Sequence, residues 1–323
     1  MIRRRATLLA GAALALPSIA QAQSPWPSRP VRILISFPPG GSSDYVARVI
    51  APAMSEMFGQ QFIVENKPGA GGMLAAEQLK REPADGHVFL LSNNAPFTIA
   101  PTMFPRITYD VMRDFTHIAY LGATYGGFVT HPSTGVRTVA EAVAKAKAQP
   151  GKLTFGSSGV GSIGHITGNT FAGLAGIEIL HVPYRGAGPL RVDLSAGTVG
   201  MAFEGLVTNL PAIRAGALNG LAVTAEQRLS LAPDVPTFRE LGYDIVVKNW
   251  HGLSGPPSVP APIVGRLQQG LAEICVRRAI TDQFMTIGNF FTPMTTAEFN
   301  AFVAAEIALW RPMILAADAV DKG

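Results

Sequence analysis

Short apolar runs alternate with amphipathic helical stretches along most of this chain, and that alternation limits the folds open to it. The run at 31–36 (VRILIS) reads as a buried strand, and Pro38-Pro39-Gly40-Gly41 breaks it. Val46, Val49, Ile50, Ala53 and Met57 then recur on one helical face. A strand at 62–65, a Gly/Pro loop at 66–72, a helix at 73–81 and a strand at 88–91 follow. Serial strand–helix–strand units predict a parallel sheet with helices on its faces.

The rhythm changes at 118–130, where two short apolar runs flank Gly122 and Gly126-Gly127. A second series then runs to about residue 224, with strands predicted at 153–155, 178–182, 199–203 and 220–224. Residues 245–253 read as extended again, and helices over 263–275, 279–287 and 297–317 close the chain. Two series with a return predict an α/β fold of two lobes joined by crossing segments. The expected divisions are 1–22 (leader), 23–123 (first lobe), 124–243 (second lobe) and 244–323 (return to the first).

Composition agrees with a folded, exported chain. Of 323 residues, 48% are hydrophobic and 15% charged, which excludes a disordered polymer. Arg3, Arg4 and Arg5 precede an apolar run from Ala6 to Leu16, and Ala20-Gln21-Ala22 supplies a small-x-small cleavage pattern. This is the layout of a secretory signal peptide, too short to span a bilayer. The Arg run also admits twin-arginine export, although Ala6-Thr7-Leu8-Leu9 departs from the usual continuation. Cleavage after Ala22 removes three Arg and no acid, lowering the formal charge from +4 to +1. With no Lys/Arg cluster beyond the leader, nucleic acid is not an expected partner. No later apolar run reaches the ~18 residues of a membrane span. Cys275 is the one cysteine, so no intrachain disulfide is possible. It recurs with Leu267, Leu271 and Ile274 at helical spacing and reads as a core thiol.

Three small-residue loops follow predicted strands and open helices: 37–44 (FPPGGSSD), 92–95 (SNNA) and 156–165 (GSSGVGSIGH). In a parallel α/β sheet the ligand crevice lies at the carboxyl ends of the strands. Unpaired helix N-terminal amides there favour an anion. Gly40, Gly41, Ser42 and Ser43 of the first loop are therefore candidate contacts. Each loop alone reads more readily as an ordinary turn or helix cap; three at one edge point to a site. Glu204, predicted to end a strand, is a candidate acceptor for a ligand hydroxyl or amino group, or else a capping acid. Tyr125, Phe97, Tyr184 and Trp250 fall near strand ends, where they stack on a ligand or fill the core.

Other chemistries fit less well. Gly159-x-Gly161-x-x-Gly164 matches a dinucleotide fingerprint, but the next strand ends His181-Val182-Pro183 where an acid belongs. Neither Ser157 nor Ser158 completes G-x-S-x-G. A secreted serine hydrolase using Ser158 or Ser162 with His165 is the alternative from another class. The six histidines show no metal-binding spacing, so neither metal nor cofactor is expected.

These residues resemble a known family. Trp26-Pro27-x-x-Pro30-Val31-Arg32, the 37–44 loop, Val64-Glu65-Asn66-Lys67-Pro68-Gly69-Ala70-Gly71-Gly72, Asp85-Gly86, His181-Val182-Pro183-Tyr184-Arg185-Gly186, Leu221-Ala222-Val223-Thr224 and Pro233-Asp234-Val235-Pro236-Thr237 are similar to runs of the Bug family, the extracytoplasmic binding proteins of tripartite tricarboxylate transporters. The resemblance spans essentially the whole mature chain. It implies a two-lobed periplasmic binding protein fold (type II-like), each lobe a Rossmann-like, mostly parallel sheet flanked by helices. It also implies closure like a flytrap on a small organic acid: a di- or tricarboxylate, an aromatic acid or an acidic amino acid.

By the same resemblance, backbone amides and waters at the first loop hold the carboxylate. Carried over by residue, the ligand contacts are Pro38, Gly40, Ser42, Ser43 and Asp44, then Asn94, then Ser157, Ser158, Gly161, Ser162 and His165. Departures are Ile163-Gly164 in place of a Ser or Thr before the histidine, Pro189-Leu190-Arg191-Val192-Asp193-Leu194 in place of Pro-Ala-Leu-Thr-Asp-Leu, and Tyr125-Gly126-Gly127. The expectation is a monomeric periplasmic solute-binding protein without catalytic chemistry. Its partners are the ligand and either transporter subunits in the membrane or a sensor protein.

Overall fold

Nine strands and ten α-helices form within residues 26–316, the part of the chain that the computed structural model describes. The leader and its cleavage site lie outside the described residues. The first half contains β1 (Val31–Ile35), α1 (Ser42–Phe58), β2 (Phe62–Asn66), α2 (Met73–Arg81), β3 (Val88–Asn93), α3 (Ala100–Met103) and β4 (Thr116–Thr130). The middle contains α4 (Val139–Ala148), β5 (Leu153–Ser157), α5 (Ile163–Ala175), β6 (Ile179–Pro183), α6 (Ala187–Ser195), β7 (Met201–Gly205), α7 (Leu206–Arg214) and β8 (Asn219–Val223). Then follow β9 (Lys248–Gly255), α8 (Ala261–Cys275), α9 (Arg278–Thr286) and α10 (Thr296–Ala316).

The strand order is β2-β1-β3-β9-β4-β7-β5-β6, with β8 also on β4. β1 lies parallel to both β2 and β3, and β5 lies parallel to both β6 and β7. These are the two βα series. Antiparallel strands join them. β4 pairs with β9 from Thr116 to Tyr125, then with β7 from Gly126 and with β8 from Gly127, both to Thr130. What the sequence splits into two apolar runs is thus one 15-residue strand passing from one lobe to the other. Its register shifts near Gly122, whose φ of +107° and closeness to Asn289 leave no room for a side chain.

Each lobe has its own core. In the first, Val31, Ile33 and Ile35 pack on Val46, Ile50 and Met54 of α1 and on Leu267 and Leu271 of α8. The Val46, Ile50, Met54 spacing of four residues places one helical stripe against the strand. Cys275 is fully buried in this cluster, as its spacing predicts, and burial pushes its thiol up to about 12. In the second lobe Phe128, Phe155, Phe171 and Phe203 pack together, with the Phe128 and Phe203 rings stacked at 4.5 Å.

Two segments differ from the sequence reading. Residues Ala95–Ile99 form a π-helical turn that runs into α3, where Pro96 and Pro101 hide any helical signal. α10 is long and apolar enough to cross a membrane by length and composition, although Asn300, Glu306 and Arg311 interrupt its apolar residues. Its buried face instead serves both lobes. Phe299 and Val303 join one core, and Trp310 and Ile314 join the Phe128–Phe203 core. The return segment is therefore shared between lobes.

Candidate ligand-binding site

The carboxyl ends of β1, β5 and β7 open on one cavity of about 340 Å³ between the lobes. Three helices begin at its wall, and each is preceded by glycine: Gly41 before α1, Gly186 before α6 and Gly205 before α7. None of the three has a side-chain cap. An uncapped helix start leaves amides without intrahelical partners and carries partial positive charge. Glycine at the cap supplies no side-chain oxygen and no bulk, so the amides stay accessible. The arrangement suits an anion.

The first loop is held from behind. Asp44 is buried and does not line the cavity. Its Oδ2 accepts from the Gly40 N–H at 3.1 Å, and its Oδ1 accepts from Arg48 Nε and Asn66 Nδ2 at 3.0 Å each. Burial alone would raise its pKa; the hydrogen bonds from Arg48, Asn66 and Gly40 outweigh that and hold it below the usual carboxylate range. Gly40, at φ +94°, makes the turn that brings its amide to this carboxylate. Ser42 accepts from Asn249 Nδ2 at 2.8 Å, and Ser43 accepts from Asn93 Nδ2 at 3.3 Å. Asn93 in turn donates to Ser36 Oγ at 2.9 Å.

Of the predicted contacts, Pro38, Gly40, Gly41, Ser42, Ser43, Ser158, Ser162 and Glu204 line the cavity together. Asp44, Asn94, Ser157, Gly161 and His165 do not. Asn94 points into the protein, where Nδ2 donates to Glu306 at 3.3 Å and Oδ1 accepts from the Trp250 N–H at 3.0 Å. Its neighbour Asn93 lines the wall instead, because successive side chains at a strand end face opposite ways. Gly161 donates its N–H to His165 Nδ1 at 3.3 Å and lies behind the wall. Tyr125 lines the cavity, whereas Phe97 and Trp250 are fully buried core. Tyr184 donates its hydroxyl to Asp193 at 2.8 Å.

Glu204 is the one acidic side chain lining the cavity among the described residues. Ser158 Oγ donates to its Oε2, and the Gly205 N–H donates to its Oε1 at 3.0 Å. Sequence reasoning missed Asn249, Thr224, Gly186 and Arg191, which also line the wall. The Tyr184-Arg185-Gly186 turn before a helix was the available signal for Gly186. Asn249 and Thr224 come from crossing segments, and no local pattern marks them.

The hydrolase alternative lacks its geometry. The His165 ring meets neither candidate hydroxyl. Its Nδ1 accepts from Gly161 and its Nε2 faces Asn169 Nδ2 at 3.3 Å. Ser162 caps α5 by accepting from the His165 N–H at 3.3 Å, and it donates to Ser157 Oγ at 3.1 Å. Serine–histidine contacts form elsewhere: Ser42 Oγ, which accepts from Asn249, lies 3.2 Å from His251 Nε2, and Ser157 Oγ lies 2.7 Å from His181 Nε2. Ser157 is fully buried and off the cavity, so no substrate carbonyl reaches it. The His165 and His181 rings stack at 4.1 Å, and burial pushes both down to about 4. The glycine fingerprint has a packing role as well. A Cβ on Gly164 would lie 2.1 Å from the Phe203 carbonyl oxygen, so this glycine lets α5 touch β7. Among the described residues, no cluster of acids, histidines or cysteines could hold a metal.

Two α/β lobes on crossing strands, with a cavity between them lined by helix starts, define a solute-binding protein of the periplasmic type. The chain belongs to the tripartite tricarboxylate transporter family receptor group, whose sequence pattern matches residues 46–318. It is 32% identical over 291 residues to protein BugT of Bordetella pertussis, covering 90% of this chain and 89% of that one. It is similar to R. palustris Rpa4515, solved with adipate, at 30% identity and a TM-score of 0.86, covering 91% of this chain and 98% of that one. It is also similar to MatC (Rpa3494) of Rhodopseudomonas palustris, solved with bound malate, at 27% identity and a TM-score of 0.84, covering 90% of this chain and 100% of that one. The family is periplasmic, and its members are binding proteins rather than enzymes.

Proposed function

We propose that this protein captures a small organic carboxylate between its lobes and hands it to membrane subunits of a tripartite transporter. The observation that carries the reading is the meeting of three glycine-preceded, uncapped helix starts at one inter-lobe cavity. The ligand carboxylate docks on the α1 amides of the 37–44 loop. Pro38, Gly40, Gly41, Ser42 and Ser43 surround it from one lobe, and Ser158 and Ser162 from the other. Glu204 accepts from a ligand hydroxyl or ammonium group. Asp44, Asn94, Ser157, Gly161 and His165 act from behind, by holding the loops. Adipate and malate in the similar structures support the carboxylate class.

In this reading the lobes divide at 123/124 and 243/244, α10 spans both, and the cavity closes about β4 and β9. The protein works as a monomer and does no catalysis. A sensor protein in the membrane is the alternative recipient. Export removes residues 1–22 and leaves Gln23 first in the periplasm, which N-terminal sequencing of the periplasmic protein checks. Native mass spectrometry of the purified protein, followed by calorimetry with a panel of mono-, di- and tricarboxylates and acidic amino acids, tests the ligand class. A mass increment matching an organic acid, and saturable binding of that acid, are expected. A panel with no binder overturns the carboxylate reading.

A further inference from the structure

Arg191 is the one basic side chain lining the cavity among the described residues, and it has no acidic partner. It stands on α6, in the lobe opposite the first loop. Its Nη2 donates to the Gly40 carbonyl oxygen at 3.3 Å, a long bond to a neutral acceptor. Its Nε is buried with no hydrogen-bond partner. A buried donor on a charged group is costly to leave unmade, and such groups in folded proteins have acceptors. Glu204, the one acid in the wall, forms no ion pair with it and instead accepts from Ser158 and the Gly205 N–H.

The geometry points to Arg191 as the specificity determinant of this cavity: it takes the second anionic group of the ligand, so the protein selects dicarboxylates over monocarboxylates of equal length. The inference rests on the carboxylate reading and refines it. One carboxylate lies on the uncapped α1 amides, where neutral N–H groups suffice. The other meets the guanidinium, whose planar fork presents parallel donors matched to two carboxylate oxygens. Nε, which has no partner within the protein, becomes one prong of that fork once the side chain turns toward the ligand. The weak bond to Gly40 is given up or shared when the acid arrives. Because Arg191 comes from one lobe and the α1 amides from the other, a dicarboxylate adds a second, charged tie between the lobes that a monocarboxylate lacks.

The test is calorimetry of the full mature chain with chain-matched pairs: succinate against butyrate, glutarate against valerate, adipate against caproate, and terephthalate against benzoate. Wild type is expected to prefer the diacid of at least one pair by roughly tenfold or more. Arg191→Leu is expected to cut that preference roughly ten- to a hundredfold, and Arg191→Lys, which keeps the charge but not the fork, to give an intermediate ratio. Arg191→Gln keeps a polar amide without the charge and serves should the leucine variant fail to fold. A purely structural role would weaken both members of a pair alike, so the ratio is the readout. An unchanged ratio in folded Arg191→Leu or Arg191→Gln overturns the assignment, as does a wild type that binds both members equally. A wild type that binds no acid of either kind overturns the carboxylate reading itself, and this inference with it.

Discussion

Ser42 Oγ lies 3.2 Å from His251 Nε2, and the other nitrogen of that ring contacts Asn289 Oδ1 at 3.2 Å. Asn289 then donates to the Leu121 carbonyl oxygen at 2.9 Å. A buried polar chain thus runs from the cavity wall to β4. His251 is fully buried, and burial pushes its pKa down to about 4. His117, with Nδ1 near Ser254 and Nε2 near the Val111 carbonyl, is also lowered to about 4.

Those two rings, together with His165 and His181, set a pH dependence. An unfolded histidine titrates near about 6.5, so below that pH the unfolded chain binds protons that the folded chain refuses. Stability therefore rises with pH while the unfolded state holds more protons. The contribution of each ring is full above about pH 6.5 and is lost as pH falls toward about 4. The slope is at most about 1.4 kcal/mol per pH unit for each histidine. Urea melts across this window are expected to show the midpoint falling with acid. His251→Gln, which cannot titrate, is expected to flatten the slope. Equal slopes in both proteins would remove His251 from the account.

Gly41 separates the site from the scaffold. A Cβ added there meets nothing within 4 Å, and its φ of −87° suits any residue. Gly41→Val therefore leaves the melting temperature within a few degrees of wild type, since open positions change stability by about 0.5 kcal/mol or less. The new side chain projects where a carboxylate must approach the α1 amides, so acid binding is expected to be lost in calorimetry. Ser42→Ala removes a hydroxyl but leaves the amides free, and should cost on the order of 1–2 kcal/mol. Wild-type affinity in Gly41→Val would place the ligand elsewhere.

Two glycines on α5 make opposite predictions. Gly164→Ala drives a Cβ to 2.1 Å from the Phe203 carbonyl oxygen, a backbone atom of β7 that cannot step aside. Overpacking of this kind costs about 1–3 kcal/mol, or several degrees of melting temperature. Gly173→Ala has open space around it and gains about 0.5–1 kcal/mol from helix propensity. Thermal melts of the two variants check the pair. Similar shifts would mean that α5 does not need its close approach to β7.

The parallel series were legible because strand and helix periods differ and loops interrupt them. Helix 73–81 is read from the sequence with its observed bounds, Met73–Arg81. The first loop was legible too, since Pro-Pro-Gly-Gly followed by Ser-Ser has few uses besides a strand-to-helix turn. β4 was not: Gly122 and Gly126 look like chain breaks, and only pairing with β9, β7 and β8 shows that they are points in one strand. The far wall was harder still. Whether Asn93 or Asn94 faces the cavity depends on one residue of register at the end of β3, and Arg191 reaches Gly40 from 151 positions away. Contacts of that separation leave no local trace.

Ligand and lobe closure are linked in the last prediction. An acid lying between the 37–44 loop and the starts of α6 and α7 touches both lobes only when they are together. It can shift the lobes only by its differential affinity for the closed form. It also stabilises the fold, by about 2.7 kcal/mol at a hundredfold excess over its Kd. For chains of about 150–250 residues 1 kcal/mol corresponds to about 2–4 °C, so a rise of several degrees is expected here. Thermal shift with a carboxylate panel reads the stabilisation, and small-angle scattering on the same samples reads compaction. Stabilisation should come with a smaller radius of gyration than in the ligand-free protein. A binder that raises the melting temperature but leaves the radius of gyration at its open-state value would overturn closure while leaving binding intact.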